Sequence, residues 1–120
     1  MKSNKKILIA EDELLIAKVL RMQFEKMGYK VENISDANDV LQKVKEMQPD
    51  VIIMDVCLKN KSSGIEAGRS VRAEGYETLI LFTTGNSYHN TLEQVKSITN
   101  VKVLSKPIEF EQLLEQMNQL

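Results

Sequence analysis

A single cysteine, Cys57, stands in the 120 residues, so no internal disulfide can form. That fits a reducing compartment. Long hydrophobic runs are missing too: the longest apolar stretches, ILIA, LLIA, VIIM and LILF, have four residues each, against the roughly 20 needed to span a bilayer. The leading MKSNKK is followed by too short an apolar stretch for a secretory signal. A cytoplasmic protein without membrane contact is therefore expected. Excess charge of one sign is absent as well, since the formal net charge is −1, and no direct nucleic-acid binding is expected. The one histidine, His89, lies in the polar segment NSYHN with no cysteine or second histidine at ligand spacing, which argues against a histidine-based metal site. No internal repeat and no low-complexity tract breaks the chain.

What is there suits one compact domain over residues 1–120, with 42% hydrophobic and 28% charged residues. Burial at this length approaches roughly two-thirds of the unfolded chain's surface, enough to fold without a disulfide or structural metal. Short β-like runs alternate with helix-length amphipathic segments. KILIA (6–10) is the first strand. The helix after it places Ile16, Leu20, Phe24 and Met27 inward, with Asp12 as an N-cap and Gly28 as its stop. A weaker strand spans 29–34, and a helix over 36–47 turns Val40, Leu41, Val44 and Met47 inward and closes at Pro49. A strand at 51–55 leads to a helix at 64–74 with Gly68 where helix and sheet pack closely. A fourth strand at 79–83 precedes a helix from about 87 to 99, with Leu92, Val95 and Ile98 inside. The last pair is a strand at 101–105 and a helix at 109–119 burying Phe110, Leu113, Leu114 and Met117.

Strict alternation of strands and helices implies a parallel sheet covered on both faces, because each right-handed crossover returns through a helix. VIIM and LILF lack polar alternation because both of their faces are buried. Ligands of such open sheets sit at the carboxyl ends of the strands. Asp55 stands at one such end and Glu11-Asp12 at another. Three carboxylates at one edge push one another towards protonation unless a cation joins them. Mg²⁺ suits a shallow oxygen site of one or two carboxylates, water and a phosphoryl group. Taken singly, Asp12 is as well explained by an N-cap and Asp55 by a strand ending in a turn; their joint placement is what points to a site. The fourth strand ends in Thr83-Thr84-Gly85 and the fifth in Lys106-Pro107. Those residues would surround an anion on Asp55 with a hydroxyl, a small residue allowing close approach and an ammonium group.

With ILIAED (7–12), VIIMD (51–55), LFTTG (81–85) and LSKP (104–107) in this order, the whole chain resembles the receiver domains of two-component response regulators. The resemblance implies a doubly wound (βα)5, flavodoxin-like sandwich with strand order 2-1-3-4-5, the order known for the chemotaxis receiver. It implies a phosphoacceptor role for Asp55 and a Mg²⁺ ion held by Asp12 and Asp55, by Glu11 through water and by the backbone carbonyl of Cys57. Thr84 would bond the phosphoryl oxygens and Lys106 would neutralise one. The implied partner is a histidine kinase or a histidine phosphotransfer domain. Homodimers through the fourth and fifth helix region are frequent in the family, although no apolar stripe here demands one.

Three departures stand out. Lys59 replaces the common proline four residues after the acceptor, and Gly64 comes nine residues after it where eight is usual, so LKNKSS forms a longer loop. Val103 stands where the family has an aromatic switch residue, three before the lysine, leaving Tyr88 as a candidate reporter beside the plainer reading of an exposed tyrosine. Glu11 replaces the first Asp of the acidic pair. Cys57 and Asn86 occupy positions that tune access of hydrolytic water, and Cys57 cannot orient water, which predicts slow to moderate loss of phosphate.

A phosphatase of the haloacid dehalogenase type would need a second Asp where Cys57 stands, and a flavin module's phosphate loop would be repelled by Glu11-Asp12. The remaining alternative is a receiver-like protein-binding module that is not phosphorylated. No output segment follows Leu120 in the sequence, which leaves a stand-alone receiver and the receiver of a longer protein both open.

Overall fold

The structure, a computed structural model, describes residues 5–85 and 88–117. Five parallel strands, β1 (Lys6–Ala10), β2 (Lys30–Ile34), β3 (Val51–Asp55), β4 (Leu79–Thr84) and β5 (Val101–Ser105), form one sheet in the order β2-β1-β3-β4-β5. Between and after them come α1 (Leu14–Lys26), α2 (Val40–Met47), α3 (Gly64–Ala73), α4 (Tyr88–Val95) and α5 (Phe110–Met117). This is the doubly wound fold and the strand order expected. Among the described residues no helix is long and apolar enough to cross a membrane.

Two apolar layers flank the sheet because consecutive strand residues face opposite sides. Leu8, Ile52, Met54, Ile80 and Phe82 pack with α2 and α3 residues such as Val44 and Val71. Ile7, Ile9, Ile53 and Leu81 pack with Phe24 of α1 and Leu113 of α5 on the other face. β3 and β4 are buried along their entire length, which is why VIIM and LILF carry no polar alternation. Local signals act as expected in several places. Gly28 has φ +95° just past α1, a conformation cheap only for glycine. A Cβ on Gly68 would lie 2.8 Å from the Phe82 ring, so the glycine inside α3 permits close packing on the sheet.

Several boundaries and faces differ from the expectation. α1 starts two residues later than its first capping signal. Its N-cap is Glu13, which makes no side-chain cap bond, so Asp12 caps nothing and stays exposed in the strand-to-helix turn. The inner face of α1 is Ala17 and Phe24, with Leu20 half-buried, whereas Ile16 and Met27 are exposed. Leu15, Val19 and Met22, at spacings of four and three, share the solvent side at 75%, 48% and 57% exposure. The helix after β2 begins as a 3₁₀ turn, Ala37–Asp39, whose N-cap Asp36 accepts from the Asn38 N–H. Leu41 is half-buried against the core while Val40, Val44 and Met47 are buried. α4 ends at Val95, four residues short of the expected end; its buried residues are Thr91 and Val95, Leu92 is 38% exposed, and Ile98 is buried in the turn beyond. In α5, Leu113 and Met117 are buried, with Phe110 and Leu114 packed against them. The expected starts and ends at Ser87 and Gln119 lie outside the described residues.

Arg72, near the end of α3, ties the fold together in a way composition does not reveal. Its guanidinium donates to the carbonyls of Thr78 (2.6 Å), Thr99 (2.8 Å), Tyr76 (2.9 Å) and Asn100 (3.0 Å), clamping α3 to the entrances of β4 and β5. Gly64 does similar work at the opposite edge. Its N–H donates to the Val56 carbonyl at 2.9 Å, and a Cβ there would collide with the carbonyl oxygen of Asp55. Gly64→Ala is therefore expected to lower stability by about 1–3 kcal/mol, read from the urea midpoint. Gly85→Ala, where a Cβ meets nothing within 4 Å, should stay within about 0.5 kcal/mol of the parent.

Candidate functional site

The parallel register carries four strand ends to one edge. Ala10 lies beside Met54, so Glu11 and Asp55 follow next to each other; Asp55 pairs with Thr83, and Thr84 with Ser105, the residue before Lys106. Backbone bonds fasten the turns: the Glu11 N–H donates to the Ile34 carbonyl at 2.9 Å and the Lys106 N–H to the Thr84 carbonyl at 2.8 Å. The predicted residues Glu11, Asp12, Asp55, Thr84 and Lys106 thus meet at the carboxyl edge of the sheet, with Cys57 in the loop directly after it.

Asp55 is 7% exposed, and both of its carboxylate oxygens are engaged. Oδ1 accepts from the Cys57 N–H at 3.1 Å, and Oδ2 accepts from the Lys106 ammonium at 2.5 Å. Glu11 is 5% exposed; Oε2 accepts from the Glu13 N–H at 3.0 Å, and Oε1 lies 3.8 Å from the Lys106 ammonium. One carboxylate oxygen each from Glu11, Asp12 and Asp55 fall within 4.8 Å of one another, a spacing that can hold a metal ion. The all-oxygen donor set suits a hard divalent cation. Thr84 is 1% exposed and its hydroxyl accepts from the Thr91 hydroxyl at 3.3 Å. Cys57 is exposed, with its backbone bridged to Ser63. Asn86 lies outside the described residues.

The surroundings shape the electrostatics. A cleft of about 250 Å³ opens beside Glu11, Asp55 and Lys106, walled by Ile16, Leu20, Ile53 and Leu113. Burial against those walls raises the Glu11 carboxyl above the usual glutamate value; the Glu13 N–H and the Lys106 charge pull the other way without cancelling it. For Lys106, burial alone would lower the ammonium, but the hydrogen bond to Asp55 and the charges of Asp55, Glu11 and Glu13 outweigh it, leaving its pKa raised. One lysine therefore balances two buried carboxylates, and a site with that deficit attracts a cation.

The remaining sequence candidates fall as follows. Val103 is 8% exposed on β5. Tyr88 is half-buried against the core and meets His89 edge to face at 5.5 Å, so it is not a plain surface tyrosine. His89 is exposed and belongs to no metal-competent cluster among the described residues. The inward Thr91 escapes sequence reasoning because a polar residue on an inner helix face carries no periodicity signal. The Glu13 N–H escapes it because backbone donors are invisible in sequence.

Because the raised pKa marks a charged form penalised by folding, Glu11→Gln should stabilise the metal-free protein at pH 7. The sign follows from linkage: the penalty is complete above the folded pKa, shrinks as pH falls through it, and is gone below the ordinary glutamate value. Urea unfolding of both proteins at pH 7 and pH 4, without metal, checks both the gain and its disappearance.

The profile of the response regulator receiver domain matches residues 7–118. The chain is 38% identical over 81 residues to the alkaline phosphatase synthesis transcriptional regulatory protein PhoP of Bacillus subtilis, a match covering 68% of this chain and 33% of that regulator. The chain thus spans about a third of that relative's length. Its fold superposes on the chemotaxis response regulator CheY4 of Vibrio cholerae with a TM-score of 0.83 at 27% identity, covering 96% of this chain and 97% of that one. A Francisella response regulator receiver domain gives 0.84 at 26% identity over 97% and 95% of the two chains. The chain belongs to the response regulator receiver domain family.

Proposed function

We propose that Asp55 accepts a phosphoryl group from a phosphohistidine of a kinase or phosphotransfer partner in a Mg²⁺-dependent reaction, and that the resulting charge switches the domain's conformation. Receiver domains are signalling domains of two-component response regulators, which interact with histidine kinases or phosphotransfer proteins; they are not enzymes in the usual sense. The observation that carries the reading is the grip on Asp55, with a backbone N–H on one oxygen, the Lys106 ammonium on the other, and Glu11 and Asp12 at cation-sharing distance.

Asp12 and Asp55 would hold Mg²⁺ directly, Glu11 through water, and the backbone carbonyl of Cys57 would complete the protein's contribution. When bound, Mg²⁺ supplies charge neutralisation for the transferring phosphoryl oxygens. The chain's own residues do the rest. A carboxylate oxygen of Asp55 forms the new bond to phosphorus while the phosphorus–nitrogen bond of the donor breaks, its electron pair returning to the imidazole. Lys106 is already placed to follow the charge from the carboxylate to the phosphoryl group, so little reorganisation is required. As the carboxylate is itself the nucleophile, no general base is needed. The exposed apolar line of Leu15, Val19 and Met22 on α1 begins three residues after Asp12 and would supply a surface on which a partner presenting a phosphohistidine can dock.

The alternative, a receiver-like binding module that is not phosphorylated, draws on the small buried Val103 at the usual switch position. Incubation with acetyl phosphate and Mg²⁺ followed by intact-mass measurement separates the two. A single phosphoryl adduct is expected in the parent and none in Asp55→Ala; no adduct from any donor would leave the binding module standing. Asp12→Asn should weaken Mg²⁺ binding by about tenfold or more, since it removes a direct carboxylate ligand. The exposed Cys57 thiol cannot orient hydrolytic water, so Cys57→Asn is expected to shorten the phosphoryl half-life several-fold; an unchanged half-life would remove Cys57 from the control of hydrolysis.

A further inference from the structure

The cleft of about 250 Å³ beside the acceptor has a chemistry of its own. Ile53 and Leu113, both buried, form its inner wall, and Ile16 and Leu20, partly exposed on α1, bring it to the surface. Glu11, Asp55, Thr83 and Lys106 lie along one side. Asp12, Cys57 and Thr84, which frame the proposed metal and phosphoryl positions, do not line it. The cleft therefore reaches the two buried carboxylates from the side of α1 and α5, away from the edge where a phosphoryl group would sit.

Two polar groups on its wall are under-served. Glu11 is 5% exposed; its Oε2 accepts from the Glu13 N–H, but Oε1 accepts no hydrogen bond among the described residues and has only the Lys106 ammonium at 3.8 Å. That ammonium is committed to Asp55 at 2.5 Å. Thr83 is 4% exposed, and its hydroxyl makes no hydrogen bond among the described residues. It shares a face of β4 with Leu81, the face that packs towards α1 and α5, because strand residues two apart point the same way. Buried polar groups are normally paired, so an incoming N–H donor finds two acceptors here.

The walls select the class of ligand. An apolar cavity of about 150 Å³ holds one benzene, so 250 Å³ accepts a ring with a short polar head. An anion is repelled by Glu11 and Asp55, which share one lysine. A hydrated metal ion would leave the apolar walls uncovered, and a hydrocarbon would leave both acceptors unpaired. A positive head with N–H donors satisfies the acceptors through charge-assisted bonds and offsets the second carboxylate.

We propose that this cleft binds a small organic cation, a ring-sized apolar body bearing an amidinium or ammonium head, with the head on Glu11 and Thr83 and the body between α1 and α5. The site stands whether or not Asp55 accepts a phosphoryl group.

The probe is benzamidinium, followed by amide chemical-shift titration of the full chain without Mg²⁺, with neutral benzamide and anionic benzoate as ligands of matched shape. Saturable binding with shifts at Ile53, Thr83 and Leu113 is expected, about tenfold or more tighter than benzamide, the worth of a hydrogen bond to a charged group. Benzoate should not bind. Glu11→Gln should erase the preference for benzamidinium over benzamide, and Thr83→Val, which keeps the side chain's shape, should weaken binding about fivefold. Leu20→Trp, which fills the cleft from its partly exposed side, should abolish binding while circular dichroism reports a native fold; should it fail to fold, the Glu11 and Thr83 variants decide alone. Asp12→Asn should change the affinity by no more than about twofold, since an exposed charge off the cleft is screened. Absence of saturable binding, equal affinity for benzamidinium and benzamide, or binding that survives Leu20→Trp in the folded protein would overturn the proposal. A loss in Asp12→Asn as large as in Glu11→Gln would place the cation at the acidic edge and overturn it too.

Discussion

The Lys106 ammonium against the Asp55 carboxylate is the contact around which the site is organised. Asp55 ends a strand buried on both faces, where an unpaired carboxylate would be costly. The 2.5 Å bond from Lys106 and the Cys57 N–H on the other oxygen make it tolerable. The same lysine must also serve Glu11, which burial drives towards protonation. One ammonium between two buried carboxylates, with Asp12 exposed alongside, leaves an edge that is short of positive charge. The proposed phosphoryl chemistry uses that shortage: a divalent cation would fill it, and a phosphoryl group on Asp55 would change the charge that Lys106 faces.

Arg72 clamps α3 to the starts of β4 and β5 through four carbonyls, and Gly64 is pressed against the Asp55 carbonyl. The far side of the acceptor is therefore fixed. α4 buries two residues, as α1 and α5 do, and meets β4 through a long hydroxyl contact.

The carboxylate edge is legible in the sequence because its residues carry unmistakable chemistry at strand ends: Glu11-Asp12 after ILIA, Asp55 after VIIM, Lys106 after VKVLS. Strand runs of four apolar residues are read easily when both faces are buried. Helix faces are less legible. In α1 the run LLIAKVLRM supports more than one apolar stripe, and periodicity alone selects Ile16 and Met27 where packing selects Ala17. Hydrophobicity scanning favours the larger neighbours over the small alanine that is in fact buried. Asp12 shows a related error, since a capping residue and a metal ligand have the same side chain and only the actual start of α1 at Leu14 separates them.

By itself the sequence determined the alternation of strands and helices, the parallel sheet, and the identity of the charged groups at its edge, because these follow from periodicity and residue chemistry along short stretches. Only the tertiary structure decided which oxygen meets which donor, that Lys106 serves both Asp55 and Glu11, and that Thr91 holds Thr84. Those pairings join residues on different elements, from seven to 95 positions apart. Their distances are set by strand register and helix seating, which emerge only when the two apolar layers have packed against the sheet.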